Sequence, residues 1–272
     1  MSMTKKAMLG LFAGVLAAMP LASFAEEAAA ESDLSAAIDV PVLSTYVWRG
    51  QVVTDDPVIQ PTFTITKGNF WVNWWGNWNL DDNATGDEHE FSEHDITVAY
   101  STTCPLTGAG VTVGIVNYDF PNVGLVDAEG NTTLVNDTAE AFLTYALSDL
   151  LLAPTVSLYY DVKEADGFYG SLAISHSLEL AETASIALGA SLGAASSDWA
   201  GYYFGDESDG LTDYSVSASL PISLCDTVTI TPGVQYVGLL GDAKDAVDAS
   251  GGTLYFGDTD KVVGSVKASF AF

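Results

Sequence analysis

The sequence predicts an all-β chain that closes into an antiparallel, up-and-down transmembrane β-barrel of about twelve strands, with short periplasmic turns and long acidic extracellular loops. Three observations predict it. The chain opens with an export leader, but no later apolar run is long enough to cross a bilayer as a helix, so any crossing falls to strands. Segments of roughly 9 to 11 residues, the length of a tilted membrane strand, alternate apolar with small or polar side chains down to the final Phe272. The links between them alternate short with long, an order that a Greek-key sandwich has no reason to keep.

Residues 1–25 carry Lys5 and Lys6, an apolar run from Ala7 to Ala18, and small Ser23 and Ala25 before the cut. This is the pattern of a secretory signal peptide; Pro20 and the acidic Glu26 and Glu27 argue against a retained helix. Its removal takes two of the 8 basic residues and none of the 36 acidic ones. So acidic a chain is unsuited to nucleic acid. Its 48% hydrophobic and 11% aromatic content nevertheless sets it apart from disordered chains. Residues 26–35 read as a periplasmic leader and 36–272 as the barrel.

The first strand is predicted over 36–49, with Val40, Val42, Tyr46 and Trp48 on one face and Asp39, Thr45 and Arg49 on the other. The second, 58–67, sets Gln60, Thr62, Thr64 and Thr66 against Pro61, Phe63 and Ile65, and the Gly68-Asn69 step turns the chain. The third, 70–80, sets Asn73, Asn77 and Asn79 against Val72, Trp74, Trp78 and Leu80. Tyr46, Trp48, Trp74 and Trp78 are the candidates for an interfacial aromatic girdle.

The same rhythm places strands at 93–101, 111–119, 138–147, 154–162, 168–180, 184–193, 212–224, 228–239 and 262–272. In the last, Gly264, Val266, Ala268, Phe270 and Phe272 suit lipid, while Ser265, Lys267 and Ser269 suit water. Phe270 and Phe272 form a terminal pattern that resembles the signal read by the barrel-assembly machinery. Most carboxylates fall in the long links, which face the outside. Cys104 and Cys225 lie on the short-turn rim six strands apart, beyond the roughly 7 Å between α-carbons that a disulfide tolerates, so they are expected unpaired.

The stretch Ser44-Thr45-Tyr46-Val47-Trp48-Arg49-Gly50, then Thr54 to Gln60 (TDDPVIQ), then Gly68-Asn69-Phe70, resembles the N-terminal signature of the TorF family of porin-like proteins, catalogued as Gcw_chp, bacterial proteins of unknown function. The aromatic-Arg-Gly step and the Asp-Pro-x-Ile-Gln entry to the second strand are its specific parts. The sequence departs from the pattern at Gln51-Val52-Val53, where a more polar step is expected. The resemblance implies an outer-membrane barrel with a pore role and supplies no substrate.

Inward polar faces would place Asp39, Asp95, Glu140, Asp161, Glu179 and Asp213 in the lumen against Arg49 and Lys267. These two cations lie on the first and last strands, neighbours once a barrel closes. A basic seam facing a carboxylate wall favours cations in transit. The other arrangement open to these charges is to pair and fill the interior. Twelve strands about 4.8 Å apart, tilted near 40°, give a backbone cylinder of roughly 24 Å, and the small inward side chains are expected to leave some water-filled space.

The loop Asp81 to Asp87 opens like a calcium loop, but Ser92 stands where a bidentate Glu is needed. His89, His94 and His176 share no metal-ligand spacing, and alternation puts His176 on the apolar face. No metal site of defined ligands, cofactor or enzyme activity is expected, and loose divalent-ion binding by the clustered loop carboxylates stays open. The reading is an outer-membrane, porin-like channel for ions or small solutes, cation-preferring, with membrane lipid and the assembly machinery as partners. Its rivals are a non-conducting barrel for surface binding or structure, and a soluble periplasmic sandwich that binds glycans through Trp74, Trp75 and Trp78.

Overall fold

The computed structural model describes residues 34–80, 91–121, 124–126, 132–134, 136–250 and 258–272. The signal peptide, most of the leader and the calcium-like stretch 81–87 lie outside them. The chain begins with β1 (Leu34–Leu43), then β2 (Tyr46–Trp48), β3 (Gln51–Thr54), β4 (Val58–Ile59), β5 (Thr62–Lys67) and β6 (Phe70–Asn79). It continues through β7 (Phe91–Thr103), β8 (Gly110–Asp119), β9 (Gly124–Val126), β10 (Thr132–Leu134), β11 (Thr138–Ala146), β12 (Thr155–Asp161), β13 (Phe168–Ala181) and β14 (Ala184–Ala195). After α1 (Ser197–Phe204) come β15 (Gly210–Ser219), β16 (Ile222–Cys225), β17 (Val228–Leu239), α2 (Gly241–Ser250) and β18 (Asp260–Ala271).

All but four of the strands join one antiparallel sheet, in which β4 with β5, and β15 with β16, are single staves interrupted at Pro61 and Pro221. Proline has no N–H to give to the ladder, so each stave breaks there. The result is a closed barrel of 12 strands. Closure is made by β1 on β18, from Ala37 opposite Ala271 to Leu43 opposite Ser265. The seam is sealed by a reciprocal pair between Ala36 and Phe272, N to O at 3.1 and 2.9 Å. In hydrocarbon an open sheet edge would leave such groups without partners, and closure removes the edge.

The side chains are sorted inside out relative to a soluble protein. Phe63, Val72, Val98, Ile115, Leu143, Leu158, Leu172 and Val266 are exposed on the outer surface, while Thr64, Asn73, Thr97, Thr112, Thr144, Ser157 and Ser215 are buried inside. An apolar belt of this kind demands lipid, so the barrel spans a membrane. That excludes the soluble sandwich. Trp74 and Trp78 face outward against Phe91, whereas Trp75 packs inward on Tyr46 at 5.6 Å, so the three tryptophans share no face.

One predicted strand is corrected. The first stave stops at Leu43 rather than running to residue 49, and β2 and β3 pair only with each other. This hairpin belongs to the loop rim, as do α1 and α2. The opposite rim has tight turns such as the one at Gly68 (φ 59) and Asn69.

Candidate functional site: the barrel interior

At the end of β1 the backbone of Ser44 bonds to Gly264 (2.9 Å) and its Oγ accepts the Gly264 N–H (3.0 Å). Beyond this clamp the chain turns into the barrel. Trp48 and Gln51 close a two-residue turn whose central residues, Arg49 (φ 46) and Gly50 (φ 83), are both left-handed, the type I′ geometry that suits a twisted hairpin. Glycine is required at 50: a Cβ there would lie 2.5 Å from Leu239 Cδ2 and 2.8 Å from Asp213 Cβ. Arginine at 49 adopts a conformation costing about 1–2 kcal/mol. Some interaction of that side chain has to offset the cost.

Arg49 is 5% exposed and Glu140, on β11, is fully buried. Nη1 donates to Oε1 at 2.7 Å and Nη2 to Oε2 at 2.6 Å, a bidentate pair. The Tyr118 hydroxyl donates to Oε2 at 2.8 Å and Trp199 Nε1 to Oε1 at 3.2 Å. Around the guanidinium carbon stand the rings of Tyr169 (4.0 Å), Trp48 (4.5 Å), Tyr159 (4.6 Å) and Trp199 (5.2 Å). The bidentate carboxylate of Glu140 compensates the burial of the guanidinium, a group that stays protonated in proteins. The cation is held charged inside the barrel.

Trp199 arrives on α1, which leaves β14 and ends at Gly205 (φ 76) in a left-handed cap. It fits because residue 167 is glycine: a Cβ there would sit 2.3 Å from the Trp199 nitrogen. One turn on, Tyr203 stacks with it at 4.2 Å and donates to Asp161 Oδ2 at 3.1 Å. Asp161 also accepts from Thr138 Oγ1 (2.8 Å) and from the backbone of Lys163, Glu164 and Ala165 through Oδ1. Asp213 accepts from Tyr169 at 3.1 Å and Thr212 at 2.8 Å. The start of the hairpin's first arm is tied by the Tyr46 hydroxyl to Glu93 at 2.9 Å. Hairpin and α1 thus fill the loop-side half of the interior with rings.

Toward the short-turn rim the interior is lined by hydroxyl and amide pairs instead: Ser101 with Thr112 (2.8 Å), Thr144 with Ser157 (2.9 Å) and Asn73 with Thr64 (2.7 Å). Lys267 lies 3.7 Å from Asp39, which also accepts from Ser269.

The predicted site residues divide accordingly. Asp39, Asp95, Glu140, Asp161, Asp213 and Lys267 lie on the inner side of the wall. Asp95 Oδ1 and both ends of the Gln51 amide are buried without a hydrogen-bond partner among the described residues. Glu179 has inward parity but is exposed near the β13–β14 turn, away from the others. Arg49 is not on the wall beside Lys267: it sits on the hairpin tip and joins Glu140. Tyr46 and Trp48 are not girdle residues, since the departure of the hairpin from the sheet buries both inside. Trp74 and Trp78 are outward, beside Phe91 and His94. Phe270 lies in β18 and Phe272 just beyond its end, both on the outward parity.

Sequence reasoning missed Trp199 and Tyr203, which come from a loop. It also passed over Tyr118, Phe142, Tyr159 and Tyr169, although their inward parity on four adjacent staves is readable from the alternation.

Among solved structures, the KdgM porin is similar at 10% identity over 87% of this chain and 99% of that one, with a TM-score of 0.50. The NanC porin is similar at 11% identity over 86% and 98%, with a TM-score of 0.48. An outer membrane channel from Pseudomonas putida F1 is similar at 9% identity over 89% and 96%, with a TM-score of 0.46. At such identities a likeness speaks for the fold, an outer-membrane β-barrel. No curated protein matches in sequence. The profile of Gcw_chp, described as a bacterial protein of unknown function, matches residues 26–270, and the chain belongs to that family.

Proposed function

We propose that the protein is an outer-membrane channel for passive diffusion of small ions and solutes, that it prefers cations, and that the hairpin and α1 make its outer half the narrow part. The observation that carries this is a closed barrel whose inward faces are polar and predominantly acidic. Arg49 pairs with Glu140 and Lys267 lies by Asp39, while Glu93, Asp161 and Asp213 are met by hydroxyl or backbone donors rather than by cations. Fixed negative charge along a narrow passage attracts cations and excludes anions. The name of the KdgM porin, a relative in fold, agrees with a pore role.

In the same reading residues 1–25 are removed on export, Phe270 and Phe272 are presented to the assembly machinery, and Trp74 and Trp78 sit at the outer membrane interface. The test is planar-bilayer recording of the purified barrel in a potassium chloride gradient. Discrete conductance steps with a reversal potential on the potassium side are expected. A reversal potential on the chloride side refutes the preference.

The depth of burial around Arg49 and Trp199 favours a second reading, a barrel with a filled lumen that serves at the surface. A purified barrel that never conducts decides for it.

A further inference from the structure

Arg49 is the only arginine in the chain, and it occupies the one place where a planar fork is matched to a carboxylate and enclosed by ring faces. The enclosure belongs mostly to the wall and its loops: Glu140 comes from β11, Tyr159 from β12, Tyr169 from β13 and Trp199 from α1. Only Trp48 arrives together with the arginine. The guest is carried on a hairpin that shares no ladder with the barrel sheet, at a tip residue held in a left-handed conformation. The host is fixed, and the guest is tethered.

We propose that this box is a recognition site for a planar organic cation of the guanidinium class, and that Arg49 fills it in the resting protein as a tethered ligand. Two features of the site select that class. The bidentate carboxylate matches two parallel N–H groups, which an ammonium does not offer. The surrounding rings favour a flat, weakly hydrated cation over sodium or potassium. A free guanidino compound competes with Arg49 for the same atoms. Because a short tether gives its guest an effective concentration on the order of millimolar or above, the wild-type site answers poorly to added ligand. An emptied site answers well. The site stands on its own geometry; only its consequence, release of the hairpin and a wider passage, rests on the channel reading.

The test empties the box with Arg49→Gly, which suits the left-handed turn. The purified, detergent-dispersed variant is titrated with methylguanidinium chloride at constant ionic strength, far below denaturing concentrations, and followed by the fluorescence of the box tryptophans. A saturable change with half-saturation at about a millimolar is expected. It should be absent with methylammonium or sodium chloride, absent in Arg49→Gly combined with Glu140→Gln, and shifted roughly tenfold or more upward in the wild type. A response no different from that to sodium chloride overturns the proposal.

If the unpaired Glu140 keeps Arg49→Gly from assembling, the readout is refolding yield by heat-dependent gel migration. A yield several-fold higher in methylguanidinium than in methylammonium supports the site, and equal yields overturn it. Bilayer recording separates the two claims. A barrel that never conducts removes the channel and leaves the site, whereas a conducting variant indifferent to methylguanidinium in both assays removes the site and leaves the channel.

Discussion

Glu140→Gln removes one charge from the centre of the hairpin's anchorage and changes little else. The side chain is fully buried and accepts from Arg49 twice, from Tyr118 and from Trp199. Breaking a buried ion pair from one side costs about 3–5 kcal/mol, because the remaining charge is left without compensation in a site that water does not reach. Glutamine keeps an acceptor oxygen that the guanidinium can still use, which returns about 1 kcal/mol. The rings continue to hold the cation. A net loss of about 2–4 kcal/mol follows, and at 1.4 kcal/mol per decade this is roughly a thirty- to thousandfold shift in the folding equilibrium. Arg49→Gln combined with Glu140→Gln removes both charges and should recover most of the loss, since two neutral amides can bond to each other. The assay is urea unfolding in lipid vesicles followed by tryptophan fluorescence, with the four proteins forming a double-mutant cycle. If Glu140→Gln lies within about 0.5 kcal/mol of the wild type, or if the double variant loses the sum of the two singles, the pair does not hold the hairpin.

Lys267→Gln leaves Asp39 without its neighbouring cation and should move the reversal potential further to the potassium side, while Asp39→Asn moves it back; no movement in either places the β1–β18 seam off the conduction path. Val266→Arg puts a charge on the lipid face at the middle of β18 and should lower stability by about 2–4 kcal/mol in vesicle unfolding, and a neutral result would mean that this face does not meet hydrocarbon. Cys104 and Cys225 are unpaired and sit at the short-turn rim. A membrane-impermeant maleimide should therefore spare both in intact cells and label them once the outer membrane is permeabilised, and labelling of intact cells would invert the orientation. Hydrogen bonding from Thr107 lowers the proton affinity of the Cys104 thiol, so its labelling should begin at lower pH than that of an ordinary thiol.

The barrel was legible because its two environments impose a period of two on every stave. Lipid accepts Val98, Leu158 and Val266, the interior accepts Thr97, Ser157 and Ser265, and the alternation between them persists for the whole width of a membrane. The same periodicity hid the hairpin. Val40, Val42, Tyr46 and Trp48 keep their parity through the point where the chain leaves the sheet, and a strand that continues cannot be told from a hairpin that folds inward by alternation alone. Tyr46 and Trp48 look like girdle residues for the reason that rings suit both an interface and a packed interior. Trp199 carried no signal, since a lone tryptophan in a loop has no periodic neighbours. The readable clue lay elsewhere. Tyr118, Phe142, Tyr159 and Tyr169 stand on the inward parity of four adjacent staves, where the same strands otherwise show Thr112, Thr144, Ser157 and Ser171. Bulky rings confined to one side of an otherwise hydroxyl-lined wall require something to pack against.

What packs there follows from charge as much as from shape. Glu140, buried among ring faces, gains most from a cation laid against both of its oxygens, and a chain with 36 acidic and 8 basic residues has few cations to spend. Lysine would bring a strongly hydrated point charge with no plane to lay between rings. Arginine brings a flat fork that meets both carboxylate oxygens and stacks on either face, and the chain places its single arginine there. The Arg-Gly step then fixes the backbone: Gly50 passes within contact of Asp213 and Leu239 where no Cβ fits, and Arg49 takes the adjoining left-handed position because its side chain more than offsets the cost. Sequence signature, turn geometry and buried ion pair are therefore one feature. The Trp-Arg-Gly step that carries the family resemblance in this sequence is the part of the chain that narrows the loop-side half of the barrel from within.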